Sequence, residues 1–205
     1  MFFPDNKRET LTTVFFCSAH NENTSKDDEY VRKIVTMSIG NNQVALNHFL
    51  KKCIKSFDRS PKLKYATTDT KKIVYYDDTL QGIQSTYAFS QNRERIDLVM
   101  CKIAYATYFN QYRTIWNREL AIGTEFLRYA DMQADDFGLL IQDAKKELEK
   151  LPITPTYEGN NPDVFKFTFC QPDSENTNDQ LLIMIFYEGF EVWVFPQPNT
   201  NKAKI

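Results

Sequence analysis

The C-terminal third of the chain constrains the fold most, because its apolar residues follow the two-residue repeat of β-strands. Phe165, Phe167 and Phe169 alternate with polar residues, 181–187 is continuously apolar, and apolar residues return over 190–195. Alternation of apolar and polar residues is typical of a half-buried strand. A continuous apolar run is typical of a strand that is buried on both faces. Glu188-Gly189 predicts a tight hairpin, although Glu suits the first position of a type I′ turn less well than Asn or Asp. We therefore expect an antiparallel sheet with a C-terminal β-hairpin.

Two amphipathic helices are predicted in the N-terminal half. The first runs over 26–38, with Ser25 as its N-cap, acidic residues 27–29 in its first turn and Gly40 as its stop. The second begins after Asn41 or Asn42 and ends before Pro61. Its predicted core-facing stripe consists of Leu46, Phe49, Leu50, Cys53, Ile54 and Phe57. His48 lies off this stripe, and we expect it to face solvent.

Two further helices and several short strands complete the prediction. A long helix over 93–116 is apolar around much of its circumference and is expected to be central and buried, with Tyr105, Tyr108, Phe109 and Tyr112 in the core. The last helix runs from Asp135 or Asp136 to Leu151. Additional strands are predicted at 11–16, 63–67, 73–76, 83–89 and 125–129. This order of elements predicts an α+β fold.

Composition narrows the possible chemistry. The 205 residues carry a net charge of −2, with only two His and four Cys. A near-neutral chain can bind a nucleic acid only through a local basic patch. We find no signal peptide, no membrane-spanning stretch and no disulfide framework, and we expect a cytoplasmic protein that does not engage membranes.

One short motif brings potential metal ligands together. Cys17 and His20 form a C-x-x-H step, which can be half of a structural zinc knuckle. A closed zinc site needs four ligands, and no second C-x-x-C or C-x-x-H pair occurs in this sequence. The alternative is a buried Cys beside a surface His.

The surrounding residues resemble the second half of an HNH-type endonuclease motif, the ββα-metal unit followed by an α+β extension. The resemblance rests on Phe3-Pro4, on 11–14, on Cys17-Ser18-Ala19-His20-Asn21 and on Lys26-Asp27-Asp28-Glu29-Tyr30, with a looser likeness over 96–109. Thr10 stands where the family has the middle Asn of its motif. On this basis residues 1–40 are interpreted as a partial HNH-like segment, and residues 41–205 as an α+β domain.

The resemblance implies a metal-dependent nuclease ancestry with a mechanism that this chain does not complete. It places Cys17 and His20 at structural zinc positions and Asn21 at the divalent-metal position. The family's first zinc cysteine pair and its general-base His would precede residue 1, so the chain is expected to be an N-terminally truncated or disarmed form. Zinc and Mg²⁺ are therefore expected only if an intact motif is restored, and neither is expected to be held tightly. Asp27, Asp28 and Glu29 are attributed to the helix dipole rather than to metal binding.

A basic stretch is the candidate DNA-binding surface. Residues 51–72 have a net charge of +6. Their basic residues are Lys51, Lys52, Lys55, Arg59, Lys62, Lys64, Lys71 and Lys72. They either contact phosphates, with nearby tyrosines stacking on bases, or form a solvated helix face followed by lysines that protect an edge strand.

Two functional hypotheses follow. The first is an HNH-endonuclease-like, DNA-associated protein that is catalytically incomplete as this chain. The second is a non-catalytic protein-interaction module, such as a phage or defence-system accessory protein, in which the aromatic β-strands and the helix stripes form the partner surface.

Overall fold

A computed structural model describes residues 3–7, 18–53, 70–77, 81–89, 91–124, 136–149, 155–170 and 177–198. These residues confirm the predicted α+β class, with four α-helices and two antiparallel sheets among them. The strands predicted over 11–16, 63–67 and 125–129 lie outside the described residues, as does most of the basic stretch.

The helices are α1 (Ser18–Thr36), α2 (Gln43–His48), α3 (Arg93–Tyr112) and α4 (Asp136–Glu149). A π-helical turn, Phe49–Cys53, continues α2. Asn42 caps α2, because its side-chain oxygen accepts hydrogen bonds from the backbone N–H groups of Val44 and Ala45. None of the described helices is both long and apolar enough to cross a lipid bilayer.

The strands form one small and one large sheet. Among the described strands, β1 (Thr70–Asp77) pairs with β2 (Gly82–Phe89) alone, which confirms the strands predicted at 73–76 and 83–89. The large sheet contains β3 (Leu120–Thr124), β4 (Glu158–Asn161), β5 (Phe165–Cys170), β6 (Leu181–Phe186) and β7 (Phe190–Pro196). Its strand order is β3-β7-β6-β5-β4, and all its neighbours are antiparallel.

The large sheet is buried on both faces. On one face Leu182 and Met184 of β6 join a core cluster that also contains residues of α1 and α3. On the other face Ile183 and Trp193 pack with Ile141 of α4. The continuously apolar run 181–187 reflects this burial on both sides.

The first two helices differ from their prediction. α1 begins at Ser18 and not near residue 26, so Ser25 and residues 27–29 lie inside the helix and not at its N-terminus. The predicted stripe on α2 is also wrong: Leu46 and Leu50 are 47% and 49% exposed, whereas Ala45 and His48 are buried. The buried face of α2 is therefore carried by a small residue and a polar one, which hydrophobic periodicity does not reveal.

The C-terminal hairpin is confirmed, but its turn lies one residue earlier than predicted. Tyr187 and Glu188 occupy the two central positions with φ of 50° and 63°, and the N–H of Gly189 donates to the carbonyl of Phe186 at 3.2 Å. Left-handed backbone at two non-glycine residues is costly and persists only where surrounding contacts impose it. Here those contacts come from the connection between α1 and α2.

Candidate functional site

The C-x-x-H-N motif lies at the start of α1. Cys17 is outside the described residues. His20 and Asn21 lie on the first turn of the helix, where the structure describes their backbone but not their side chains. His20 and Asn21 therefore lie within a helix and not in a turn before a later helix, as the sequence suggested.

The acidic residues after the motif hold α1 to α3. The carboxylate of Asp27 accepts a hydrogen bond from Nε of Arg95, and the carboxylate of Asp28 lies 2.9 Å from Nζ of Lys102. The guanidinium of Arg95 also lies 4.1 Å from the ring centroid of Tyr30, in cation–π geometry. The attribution of these carboxylates to the helix dipole was wrong, because they lie beyond the first turn and face cations on α3.

The metal ligands implied by the HNH resemblance are not gathered in the described part of the chain. Among these residues no group of three or more His, Cys, Asp or Glu side chains is placed to hold a metal ion. The carboxylates nearest in sequence to Asn21 that the structure places, Asp27 and Asp28, are already engaged by basic side chains. We therefore assign no chemical step to zinc or Mg²⁺.

The structure describes four of the eight basic candidates. Lys51, on the π-helical turn, and Lys71 and Lys72, on β1, are exposed and form no ion pair with the described carboxylates. Lys52 is different, because its Nζ lies 2.8 Å from a carboxylate oxygen of Asp5. The other four candidates, Lys55, Arg59, Lys62 and Lys64, lie outside the described residues.

Most other described cations are paired, which sets these lysines apart. Lys7, Arg93, Arg118 and Lys145 each lie within 3.0 Å of a carboxylate oxygen. The remaining described cations without a carboxylate partner are Lys26, Arg113 and Lys166. Three of the lysines that the sequence selected thus belong to a small group whose charge is available to an external anion.

Lys71 and Lys72 lie on an exposed ribbon. The register pairs Lys72 with Tyr87, Val74 with Ser85 and Tyr76 with Ile83. Val74 and Ile83 are 67% and 76% exposed, unusually open for β-branched residues in a strand. The hairpin therefore presents cations and aliphatic side chains together.

A second polar site joins α2 to the C-terminal hairpin. His48 is 3% exposed, and its Nδ1 lies 2.8 Å from the hydroxyl of Tyr187, which is fully buried. Asn42 binds the same turn, since its backbone N–H donates to the carbonyl of Tyr187 at 2.9 Å and its Nδ2 donates to a carboxylate oxygen of Glu188 at 3.0 Å. The prediction that His48 faces solvent was wrong, and no local signal identifies its partner, which lies far along the chain.

The aromatic residues of α3, Tyr105, Tyr108, Phe109 and Tyr112, pack mainly in the core. Tyr108 is fully buried and stacks on Trp116 with ring centroids 4.7 Å apart, and its hydroxyl lies 2.8 Å from Oγ1 of Thr177. The hydroxyl of Tyr105 donates to the carbonyl of Arg118. Phe109, at 39% exposed, is the one member of the stripe that is largely open. Core packing of this stripe is thus confirmed for most of its length.

Cys101 and Cys170 are partly buried cysteines with raised thiol pKa values. Burial, with a smaller contribution from the Asp97 carboxylate, raises the pKa of Cys101 to about 11. Burial also raises the pKa of the Cys170 thiol above its usual range. A thiolate is the nucleophilic form of cysteine, so neither side chain has the properties of a catalytic nucleophile.

Comparison of the chain with models of protein families, with curated proteins and with solved structures found no match.

Proposed function

We propose that this chain is a DNA-associated protein of HNH-endonuclease ancestry that binds the phosphate backbone through Lys51, Lys71 and Lys72 and does not cut DNA by itself. The observation that carries the proposal is that these three lysines are exposed and have no partner among the described carboxylates, whereas the other described cations are mostly paired. A lysine already engaged by a carboxylate must give up that contact to bind phosphate, whereas a free one needs only to release counterions.

The shape of the hairpin supports the same proposal. A two-stranded antiparallel ribbon fits the major groove of B-form DNA, and several DNA-binding proteins use strands in this way. Alternation along β1 places Lys72 on the same face of the ribbon as Val74 and Ile83, and Lys71 on the opposite face, from which its long side chain can reach past the strand to a phosphate beside the groove. Val74 and Ile83 would then lie near base edges, where an aliphatic side chain can contact a thymine methyl group.

The salt dependence of DNA binding tests the phosphate contacts. We would measure the affinity of the full chain for a labelled duplex of random sequence by fluorescence anisotropy over a range of salt concentrations. Each of Lys51→Ala, Lys71→Ala and Lys72→Ala should lower the slope of log affinity against log salt by about 0.9. Lys146→Ala is the matched control, because Lys146 is also exposed but lies on α4, 3.3 Å from Asp143.

Two results would contradict this half of the proposal. The first is binding whose affinity does not depend on salt. The second is a slope that falls as much for Lys146→Ala as for the three hairpin and π-turn variants. In that case the charge of the whole molecule, and not the three lysines, would account for the affinity.

Cleavage is tested separately with supercoiled plasmid. We expect the plasmid to remain supercoiled with the protein and Mg²⁺, since a nuclease of this class needs a base to activate water and a divalent ion with anionic or imidazole ligands. Nicking that requires Mg²⁺ and disappears in Asn21→Ala would show that the motif is active and that the proposal is wrong on this point.

A protein-interaction module is the second candidate function. The aromatic residues of the C-terminal strands do not favour it, because Phe186, Phe190 and Trp193 are buried. The exposed aliphatic residues do favour it. Val74 and Ile83 are the most exposed of those that lie on described strands.

A further inference from the structure

Residues 3–7 form a short strap that is fixed at both of its ends. Phe3 packs against the larger core cluster. At the other end, Nζ of Lys7 lies 2.8 Å from a carboxylate oxygen of Asp163, in the connection between β4 and β5. The strap is closed internally by a 3.0 Å hydrogen bond from the N–H of Lys7 to the carbonyl of Pro4. Its middle residues are therefore held in a defined position.

The strap places a carboxylate on a lysine of the candidate DNA surface. Asp5 begins a 3-10 turn, and its two carboxylate oxygens each lie 2.8 Å from Nζ of Lys52. Lys52 directly follows Lys51 on the π-helical turn. Of the four basic candidates that the structure describes, Lys52 is the one that has a partner among the described carboxylates.

Contacts outside this ion pair tie the strap to α2. Nδ2 of Asn42, the N-cap of α2, donates a 2.7 Å hydrogen bond to the carbonyl of Asp163, whose carboxylate holds Lys7. The π-helical turn that carries Lys52 continues the same helix. The placement of the Asp5 carboxylate beside Lys52 therefore does not depend on that ion pair alone.

We propose that the strap is an autoinhibitory element, in which Asp5 occupies Lys52 and withholds it from the DNA backbone. This inference rests on the DNA binding proposed above for Lys51, Lys71 and Lys72. A carboxylate offers a lysine two anionic oxygens, as a backbone phosphate does, so Asp5 and a phosphate compete for the same ammonium group.

The strap tunes DNA binding and does not abolish it. The side chains of Asp5 and Lys52 are 66% and 36% exposed, and an ion pair this open to water is weak. Lys51 lies outside the contact, so the three proposed phosphate contacts stay available and the strap controls a fourth. Removal of the Asp5 carboxylate should therefore add one phosphate contact and raise the affinity for DNA by about threefold at ~0.1 M salt.

Asp5→Asn tests the strap in the anisotropy titrations of the full chain with the random-sequence duplex. Its slope of log affinity against log salt should be steeper than that of the native chain by about 0.9. Lys52→Ala should leave the slope unchanged in the native chain, but should remove the gain in the Asp5→Asn chain. Asp143→Asn is the matched control and should not change the slope. It removes the same charge from an exposed ion pair on α4, where Asp143 lies 3.3 Å from Nζ of Lys146.

Three results would overturn the inference. The first is a slope that falls on Lys52→Ala in the native chain. The second is an Asp5→Asn slope that differs from the native one no more than the Asp143→Asn slope does. The third is a gain in slope that survives Lys52→Ala in the Asp5→Asn chain.

Failure of the proposed function has a different signature. In that case the slope would not respond to Lys51→Ala, Lys71→Ala and Lys72→Ala. If those three variants behave as expected and Asp5→Asn does not, the strap alone is refuted. If neither the native chain nor the Asp5→Asn chain binds the duplex, both proposals are wrong.

Discussion

Gly189→Ala should be one of the most damaging single-methyl additions in this chain. A Cβ at Gly189 would lie 2.3 Å from the carbonyl carbon of Gly40, 2.4 Å from its oxygen and 2.5 Å from the backbone nitrogen of Asn41. All three atoms belong to the backbone, so no side chain can rotate out of the way. Because Gly189 does not have a positive φ, the cost comes from this close approach and not from backbone conformation.

The magnitude follows from what the hairpin turn loses when it moves away. The N–H of Asn42 releases the carbonyl of Tyr187, and the hydroxyl of Tyr187 leaves Nδ1 of His48. Each buried hydrogen bond contributes about 1 kcal/mol, and exposing part of the Tyr187 ring adds about 1 kcal/mol more. We therefore expect the free energy of unfolding to fall by about 3 kcal/mol.

Urea denaturation followed by circular dichroism measures this loss by linear extrapolation. Gly123→Ala is the control, since a Cβ there would meet first the Cδ1 atom of Ile141 at 2.8 Å, which is the end of a flexible side chain. That variant should cost about 1 kcal/mol. If Gly189→Ala costs no more than Gly123→Ala, the docking of the turn on Gly40 does not stabilise the fold as we infer.

Four further predictions concern the same turn and the thiol of Cys101. Glu188→Asn should raise the free energy of unfolding by only about 0.3 kcal/mol, because the better tolerance of Asn for a left-handed backbone is partly offset by the loss of the exposed hydrogen bond from Nδ2 of Asn42 to the Glu188 carboxylate; a lower stability in urea would contradict this. In a double-mutant cycle of Tyr187→Phe and His48→Gln, the two changes should be coupled by about 1 kcal/mol, and strictly additive losses would show that the 2.8 Å contact contributes nothing. Cys101 should be alkylated about a hundredfold more slowly in the folded chain than in urea, since its pKa rises from 9.0 to about 11 and the reactive thiolate becomes scarce. Because the folded state holds this thiol neutral, its contribution to stability is present below about pH 9 and is lost as the pH rises towards 11. Cys101→Ala should reduce that loss in urea titrations at successive pH values, and equal pH dependence in both proteins would contradict it.

The elements that could be predicted from the sequence are those whose burial produces a periodic pattern of apolar residues within the element itself. β5 alternates because Phe165, Phe167 and Phe169 lie on the face of the sheet that packs in the larger core cluster, and β6 is continuously apolar because helices cover both faces of the sheet. α3 and α4 begin at the residues predicted from their apolar patterns. In each case the information lies within about a dozen consecutive residues.

The parts that could not be predicted depend on partners far along the chain. Asp27 and Asp28 resemble the first turn of a helix, and only the positions of Arg95 and Lys102 show that they lie in its interior. His48 is polar and off the apolar stripe, and only Tyr187 explains its burial. The turn at Tyr187 and Glu188 contradicts local preference because Asn42 and Gly40 hold it from outside.

The candidate functional residues fall into two separate groups, the nuclease-like motif and the exposed lysines. The motif that resembles an HNH nuclease lies around Cys17, His20 and Asn21, whereas the exposed lysines lie on the π-helical turn and on β1. Since Asp27 and Asp28 bind cations on α3, removing either carboxylate should weaken the fold whether or not the chain once held a metal. The DNA binding that we propose for Lys51, Lys71 and Lys72 would need no metal and no general base. A loss of cleavage would therefore leave that binding unchanged, and the salt-dependence and plasmid experiments report on these two properties independently.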